Sequence, residues 1–145
     1  MPIITGPISR DGAVIDVFVG VPNARRHALV HGSILIPTPI TVRAVIDTGA
    51  AITGFSPSLF GRLGLTAVDS ITVRPPVGPP QPTDRYKVSL YFVADGTQHL
   101  FAEAPVIAAD GFEPSEEIQG IIGRDVLDHC SFQYWGTARE FQFAF

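Results

Sequence analysis

Thirteen prolines and fourteen glycines interrupt this sequence every few residues, and no other feature limits its fold as strongly. Proline and glycine end helices and mark turns, so long helices are excluded while short strands remain possible. The runs between them are rich in β-branched and aromatic side chains, which favour strands. The predicted strands are residues 14–19, 33–36, 41–46, 71–74, 86–93, 99–103 and 105–108. The sequence therefore predicts an all-β protein.

Helix and turn signals complete this outline. Residues 56–63 and 124–129 are predicted as short helices, the first because Ser56 can cap it and a proline follows at the first helical position. Asp95-Gly96 is a strong hairpin signal, and residues 132–145 are predicted to form a terminal hairpin.

Two stretches are predicted to be loops. Residues 75–82 (PPVGPPQP) lack most amide donors and cannot pair as an ordinary strand. Residues 109–119 are predicted to form a polar loop. Its acidic side chains, which include Glu113, Glu116 and Glu117, are interpreted as solvated surface charges.

Composition bounds the classes of function. With 145 residues and 46% hydrophobic content, the chain fits a single domain covering residues 1–145. Charged residues make up 17%, below the roughly 25% usual for soluble domains, which hints that a partner covers apolar surface. The net charge of -4 and the absence of a basic run beyond Arg25-Arg26 argue against nucleic-acid binding.

No segment reaches the length of a membrane span, and no secretion signal is recognised, so a cytoplasmic location is expected unless the domain was excised from a larger protein.

Neither cysteine nor histidine predicts a metal site or a cofactor. Cys130 is the single cysteine, which excludes an intrachain disulfide and a cysteine-based zinc site. His27 and His31 are four residues apart, but Pro22 before them and Gly32 after them argue against a helix, so they are predicted to be loop residues. Cys130 next to His129 is interpreted as a buried thiol rather than a nucleophile with its base, because adjacent side chains point apart.

Two distant segments carry the chemistry. Residues 44–55 (AVIDTGAAITGF) combine an apolar strand with Asp47 and then small residues, which let the chain turn sharply and let a ligand approach the carboxyl. Residues 119–129 (QGIIGRDVLDH) follow far downstream. An ordinary solvated aspartate in a turn would explain the first segment alone, but not the pair.

Together these segments resemble the two signatures of the retropepsin-like aspartic proteases, a single-domain family that includes retroviral proteases and many bacterial relatives. The first signature is Asp-Thr-Gly-Ala at residues 47–50, and the second is Ile-Ile-Gly-Arg-Asp at residues 121–125 before a short helix. Both stand in the order and spacing of the family, and the resemblance covers approximately residues 14–145. It implies a closed, barrel-like β domain with short helices, assembled as a two-fold symmetric homodimer.

The resemblance also implies a reaction, the hydrolysis of peptide bonds in an extended peptide or protein. One such motif supplies one carboxyl per chain, whereas this chemistry needs two carboxyls sharing one proton around a water molecule. A two-fold axis between two Asp47 side chains would provide the second carboxyl. Because like charges do not readily ionise together, an acidic to mildly acidic working pH is expected.

Individual roles follow from the same resemblance. The Thr48 hydroxyl would reach the partner's backbone, the Gly49 carbonyl would accept from the substrate backbone, Ile121 would line a side-chain pocket, and Gly123 would pack beneath the Asp47 loop. The implied catalytic residues are Asp47, Thr48 and Gly49; the substrate-binding residues are Ala50, Ala51, Val77, Gly78 and Ile121; the dimer or structural residues are Gly123, Arg124 and Asp125. No metal or cofactor is implied.

Two departures from the family pattern stand out. A hairpin flap is expected over residues 71–86, but its proline-rich tip leaves only the amides of Val77, Gly78 and Gln81 as donors. Retroviral enzymes carry acidic residues directly after the first motif, where this chain has Ala51 and Ile52. Arg124 therefore lacks its usual carboxylate, for which Asp125, Asp128 or a residue of the other chain could substitute.

Other functions remain open at this point. The proline-rich tip and the altered neighbours of Asp47 are compatible with a non-catalytic module that holds extended peptides or assembles with a partner. The tip also contains a P-x-x-P pattern from Pro76 to Pro79, which could bind a peptide-recognition domain, although a stiff flap or loop tip is the preferred interpretation. Serine hydrolase chemistry at Ser56 is disfavoured, because its neighbours do not complete a G-x-S-x-G motif.

Overall fold

The protein is described by a computed structural model that covers residues 1–112 and 116–145. Glu113, one of the acidic residues of the predicted polar loop, lies outside these described residues. In the described ranges the strands are β1 (Ile3–Pro7), β2 (Val14–Gly20), β3 (Ile40–Ile46), β4 (Gly54–Phe55), β5 (Asp69–Val73), β6 (Gln81–Ala94), β7 (Thr97–Ala108), β8 (Ile118–Ile122), β9 (Ser131–Trp135) and β10 (Glu140–Ala144). The helices are α1 (Asn23–His31), α2 (Pro57–Arg62) and α3 (Arg124–Leu127).

Most strands belong to one mixed sheet in the order β2-β3-β8-β4-β7-β6-β5. Antiparallel pairing between β2 and β6 joins the two ends of the run from β2 to β6, which closes that part of the sheet into a barrel. Closure removes exposed strand edges, and β5 remains outside the barrel on the edge of β6. The predicted all-β fold is confirmed.

The core fills the barrel interior and continues under the terminal strands. Alternate residues of each strand point inward, which places large apolar side chains such as Phe55, Phe92 and Phe143 at 0% exposure. Phe92 contacts Phe143 edge-on, with ring centroids 5.0 Å apart. The aromatic residues of β10 therefore attach the terminal strands to the barrel.

Three of these strands form a separate sheet in the order β1-β10-β9. The predicted terminal hairpin is confirmed, because β9 pairs with β10 around a turn between Trp135 and Glu140. The strand β1, which local patterning did not indicate, pairs with β10 from Ile3 opposite Ala144 to Pro7 opposite Glu140. The strands β1 and β9 are thus the two edges of this sheet.

Several local predictions are confirmed. The helices α2 and α3 occupy the predicted segments, and Pro57 stands at the start of α2 as expected. Ser56 precedes the helix, but the predicted capping is wrong, because its side chain makes no capping hydrogen bond. The Asp95-Gly96 turn joins β6 to β7, and both residues have positive φ angles, 52° and 73°, as a tight hairpin turn requires.

The prediction that His27 and His31 are loop residues is wrong, because both belong to α1. Pro22 and Gly32 are boundary residues that are compatible with a helix between them. The carboxylate of Glu103 accepts a hydrogen bond from the backbone N–H of Ala24 at 2.6 Å, so a residue of β7 caps the helix from 79 positions away. This long-range cap explains why the local sequence was misleading.

Other strand predictions also need correction. Residues 33–36 are not a strand; they belong to the irregular connection between α1 and β3. The two predicted strands at residues 99–103 and 105–108 form the single strand β7, and β8 includes Gln119, which was predicted to lie in a loop. Gln81 and Pro82 belong to β6 and pair with Val73 and Thr72.

Among the described residues, no helix is both long enough and apolar enough to cross a membrane.

Candidate active site

Asp47 lies directly after β3, in the segment of residues 47–53 that we call the Asp47 loop. Its backbone N–H donates to the carbonyl of Ile122 at 2.9 Å, and its own carbonyl accepts from the N–H of Ala50 at 3.2 Å. The N–H of Gly49 donates to Asp47 Oδ1 at 2.9 Å. Parallel pairing of β3 with β8 brings the two sequence segments together. The half-buried carboxyl is therefore held in one orientation by its own turn.

Thr53, the buried last residue of this loop, attaches the loop to the segment that follows β8. Its hydroxyl donates to Asp125 Oδ1 at 2.7 Å and accepts from the N–H of Gly123 at 3.0 Å. The Thr53 N–H also donates to both carboxylate oxygens of Asp125, at 3.1 and 3.0 Å. Thr53 is 0% exposed, and each polar atom of its side chain is satisfied. The sequence analysis did not identify Thr53.

Gly123 crosses directly beneath the Asp47 loop. A Cβ atom on Gly123 would lie 2.8 Å from the carbonyl carbon of Ile52 and 3.0 Å from the carbonyl oxygen of Ala50. Carbon atoms do not approach backbone atoms so closely, so only glycine fits. The next residue continues the contact, because the N–H of Arg124 donates to the Ala50 carbonyl at 2.9 Å.

The Arg124 side chain is held by a carbonyl rather than by a carboxylate. One guanidinium nitrogen donates to the backbone carbonyl of Thr48 at 2.9 Å. Within residues 1–112 and 116–145 Arg124 makes no ion pair, so neither Asp125 nor Asp128 substitutes for the missing acidic partner. Asp125 instead accepts from Thr53 and from the N–H of Val126. A partner from a second chain remains a prediction.

A cleft of about 550 Å³ opens between the Asp47 loop and the hairpin formed by β5 and β6. Its floor includes Asp47, and its walls are mostly apolar. The lining residues are Asp47, Gly49, Ala50, Ala51, Ile52, Thr72, Val73, Arg74, Pro75, Pro76, Ile107 and Ile121. An apolar cleft with few polar groups is typical of a ligand site, and extended peptides commonly bind beside strands, where pockets accept alternate side chains.

Comparison with solved structures identifies this architecture. The crystal structure of a retropepsin-like aspartic protease from Rickettsia conorii matches with a TM-score of 0.60, covering 97% of this chain and 89% of that chain at 14% sequence identity. The chain has the retropepsin-like fold. EIAV protease, complexed with the inhibitor HBY-793, matches at a TM-score of 0.41 and 14% identity, covering 81% of this chain and 86% of that one. No protein-family model matches the sequence, and no curated protein does.

Within the retropepsin-like fold, the residues singled out in the sequence fall into two groups. Most meet at the Asp47 loop, because Ala50, Ala51 and Ile121 line the cleft with Asp47 and Gly49, while Gly123, Arg124 and Asp125 contact the loop from behind. Val77 and Gly78 do not line the cleft, and Val77 is 88% exposed. The hairpin residues that line it come earlier, at positions 72–76.

Thr48 is exposed beside the cleft rather than lining it. This position leaves its hydroxyl accessible to a second molecule.

The remaining nucleophile and metal candidates lie elsewhere. Burial raises the pKa of the Cys130 thiol to about 11, so this cysteine stays protonated at neutral pH and is a poor nucleophile. His129 packs edge-on against Phe101, with ring centroids 5.6 Å apart. In the described part of the chain, no three histidine, cysteine or acidic residues converge as metal ligands.

Proposed function

We propose that the protein is an aspartic endopeptidase in which two Asp47 carboxyls, one from each subunit of a homodimer, activate the water that hydrolyses a peptide bond. The observation that carries this proposal is the position of Asp47, whose oriented carboxyl lies at the floor of an apolar cleft that a hairpin covers. The retropepsin-like fold supports it, because the Asp-Thr-Gly-Ala motif stands at the loop after β3.

The reaction requires a proton acceptor and a proton donor on the same water molecule. In the proposed dyad the ionised Asp47 takes a proton from water as the oxygen attacks the scissile carbonyl carbon, and the protonated Asp47 of the partner donates to the carbonyl oxygen. Collapse of the tetrahedral intermediate breaks the C–N bond: the first Asp47 gives the proton that it took from water to the leaving nitrogen, and a hydroxyl of the intermediate returns its proton to the partner's Asp47 as the carbonyl re-forms. The two carboxyls then again share one proton.

The need for a second chain follows from the lining of the cleft. Among the residues that the structure describes, Asp47 is the only acidic side chain in the cleft. Isologous contact around a two-fold axis places the same residue on both sides. The open edges of the terminal sheet support dimer formation, since Tyr134 and Trp135 on the edge strand β9 are 56% and 43% exposed.

The other motif residues receive roles consistent with their positions. Thr48 would donate its hydroxyl to the partner's backbone, and Gly49 would offer its carbonyl to the peptide. Ala50, Ala51 and Ile121 would contact apolar side chains of the substrate. Val77 and Gly78 would reach the peptide only if the hairpin tip moved toward the cleft, as flaps do on closure.

The test is a peptide-library cleavage assay between about pH 3 and 7, the range in which carboxyls change protonation. We expect the wild-type protein to cleave between apolar residues, and Asp47→Asn to lose at least about 100-fold in rate, since acid–base groups contribute roughly 10²–10⁴. Asp95→Asn, in the exposed β6–β7 turn, is the matched control and should retain activity.

The same samples test the dimer by sedimentation equilibrium. Specific activity should fall on dilution in step with the dimer fraction. Cleavage by Asp47→Asn at the wild-type rate would overturn the proposed mechanism, and an active strict monomer would overturn the shared site. Peptide binding without turnover would instead identify the non-catalytic peptide-binding module.

A further inference from the structure

One cation faces the candidate active site without a partner of its own. We propose that Arg74 forms an anion subsite in the cleft and that the enzyme therefore selects peptides carrying an aspartate or glutamate side chain among otherwise apolar residues. This inference rests on the proposed function and names its substrate class.

Arg74 lies where β5 ends and the hairpin tip, residues 74–80, begins. It lines the same cleft as Asp47. Apart from Asp47, the other lining residues are apolar or uncharged, so within the described residues Arg74 is the only cation of the cleft. The chain has ten Lys and Arg against fourteen Asp and Glu, which makes a cation at this position contrary to the overall charge.

The guanidinium of Arg74 is not used to stabilise the fold. In the ranges that the structure describes, the ion pairs engage Arg10, Arg43 and Arg85, and none engages Arg74. It does not pair with Asp47, although both line the cleft. The nearest acidic residue along its own strand is Asp69, whose carboxylate is already bound to Arg85. All donors of Arg74 therefore remain available to a ligand.

The sequence also restrains the backbone that carries this cation. A residue before proline is confined to extended conformations, and Pro75 follows Arg74 directly. Pro76 adds a second fixed φ angle. The side chain consequently extends from a conformationally restrained backbone, which reduces the conformational entropy that would be lost when a ligand binds.

The chemistry of the guanidinium decides the ligand. Its planar donors match the two oxygens of a carboxylate in a bidentate pair. Arg74 is exposed, but a peptide that fills the apolar cleft would exclude part of the water around the pair and strengthen it. A neutral glutamine has one acceptor oxygen and no charge, and a lysine would be repelled. An extended peptide bound across Asp47 would therefore be favoured when it places a carboxylate next to Arg74.

The test compares the cleavage of two peptides that differ only in having Glu or Gln at one position. The pair is made for each position that flanks the scissile bond. The assay is run at about pH 6, where a free glutamate is ionised. For one position we expect kcat/KM to favour Glu by about five- to tenfold, the size of a partly exposed charge pair. Arg74→Gln should reduce this ratio to near one, and Arg74→Glu should reverse it in favour of the Gln peptide. Arg26→Gln, on α1 and outside the cleft, is the control and should keep the wild-type ratio.

Binding measurements separate this inference from the proposed function. Fluorescence anisotropy with the same peptide pair is measured on Asp47→Asn, with and without Arg74→Gln, so that turnover is not required. Tighter binding of the Glu peptide that disappears with Arg74→Gln supports the subsite even if the wild-type protein cleaves nothing. A Glu-to-Gln ratio of one in the wild type, or a preference that Arg74→Gln leaves unchanged, overturns it. A displaced pH–rate profile with an unchanged ratio also overturns it, because Arg74 would then act on the dyad.

Discussion

The two walls of the cleft are built in opposite ways. The Asp47 loop is fixed by hydrogen bonds from another part of the chain, with Gly123 and Arg124 crossing beneath it and buried Thr53 bound to Asp125. The hairpin tip opposite has no such support. No backbone hydrogen bond is formed by residues 75–79 within the described ranges, and the tip is largely exposed.

The Asp47 loop therefore positions the carboxyl, whereas the hairpin tip covers the cleft. In the proposed dimer the Asp47 carboxyl must meet its symmetry mate and needs a fixed place, and the buried, fully hydrogen-bonded contacts beneath the loop supply it. A cover that admits a peptide must move, and segments with few buried contacts open most readily. The prolines of the tip make it locally stiff without attaching it to the barrel. We therefore expect substitutions in the loop to cost stability and substitutions in the tip to cost little.

The largest loss is expected for Gly123→Ala. Its new Cβ would overlap the backbone of Ile52 and Ala50, and overpacking against atoms that cannot move costs about 3 kcal/mol. Urea unfolding at fixed protein concentration measures this loss. The control is Gly61→Ala in α2, where a Cβ meets nothing within 4 Å and alanine should stabilise by about 0.5–1 kcal/mol. Equal behaviour of the two variants would contradict the close crossing beneath the loop.

Thr53→Val should have the next largest effect. The substitution preserves shape but removes the hydroxyl between Gly123 and Asp125, which leaves buried polar groups unsatisfied at a cost of about 2 kcal/mol. Thr72→Val, on exposed β5 in the hairpin, is the matched control and should change the free energy of unfolding by less than about 0.5 kcal/mol. If the two variants were equally stable, the loop would not depend on the Thr53 network.

A smaller effect is expected at the base of the hairpin, where Arg85 donates to both carboxylate oxygens of Asp69. The hydrogen bonds and charge of Arg85 lower the pKa of Asp69. A lowered folded-state pKa means that this pair stabilises the fold above the unfolded-state pKa and that the stabilisation is lost as pH falls through the folded-state pKa. NMR titration of the carboxyl should show the pKa of Asp69 rising toward its ordinary value in Arg85→Gln. Arg10→Gln should leave it unchanged, and an unmoved value in Arg85→Gln would refute the pairing.

The smallest effect is expected for Val77→Ser at the tip. Because this side chain is 88% exposed, the free energy of unfolding should change by less than about 0.5 kcal/mol. Urea unfolding under the same conditions as for Thr53→Val provides the comparison. A loss above about 1 kcal/mol would indicate that the tip packs against the protein, and the contrast between the two walls would fail.

The sequence predicted what local chemistry determines. Turn residues defined the β6–β7 hairpin at Asp95-Gly96, and the proline at the first turn marked α2. The two motifs predicted that Asp47 and Gly123 belong to one site, because a known pattern links them. The confirmed elements are those whose signals lie within a few neighbouring residues.

What the sequence missed depends on distant contacts. The capping of α1 by Glu103 and the pairing of β1 with β10 have no local signal. In the sequence, nothing distinguishes Thr53 from any other threonine. Its role is visible only in the fold, which brings Asp125 beside it. The signal that could have identified this network is a threonine three residues after the first motif combined with an aspartate two residues after Gly123.

The partners beneath the Asp47 loop also set the order in which the protein can acquire its site. Thr53 and Asp125 are 72 residues apart in the chain, and contacts between distant residues form late because a long loop must first close. During synthesis, a ribosome would have to release the segment through α3 before the carboxyl of Asp47 could be oriented. A nascent chain would thus carry the aspartate without the geometry to use it, which would keep the proposed endopeptidase inactive until its own fold is nearly complete.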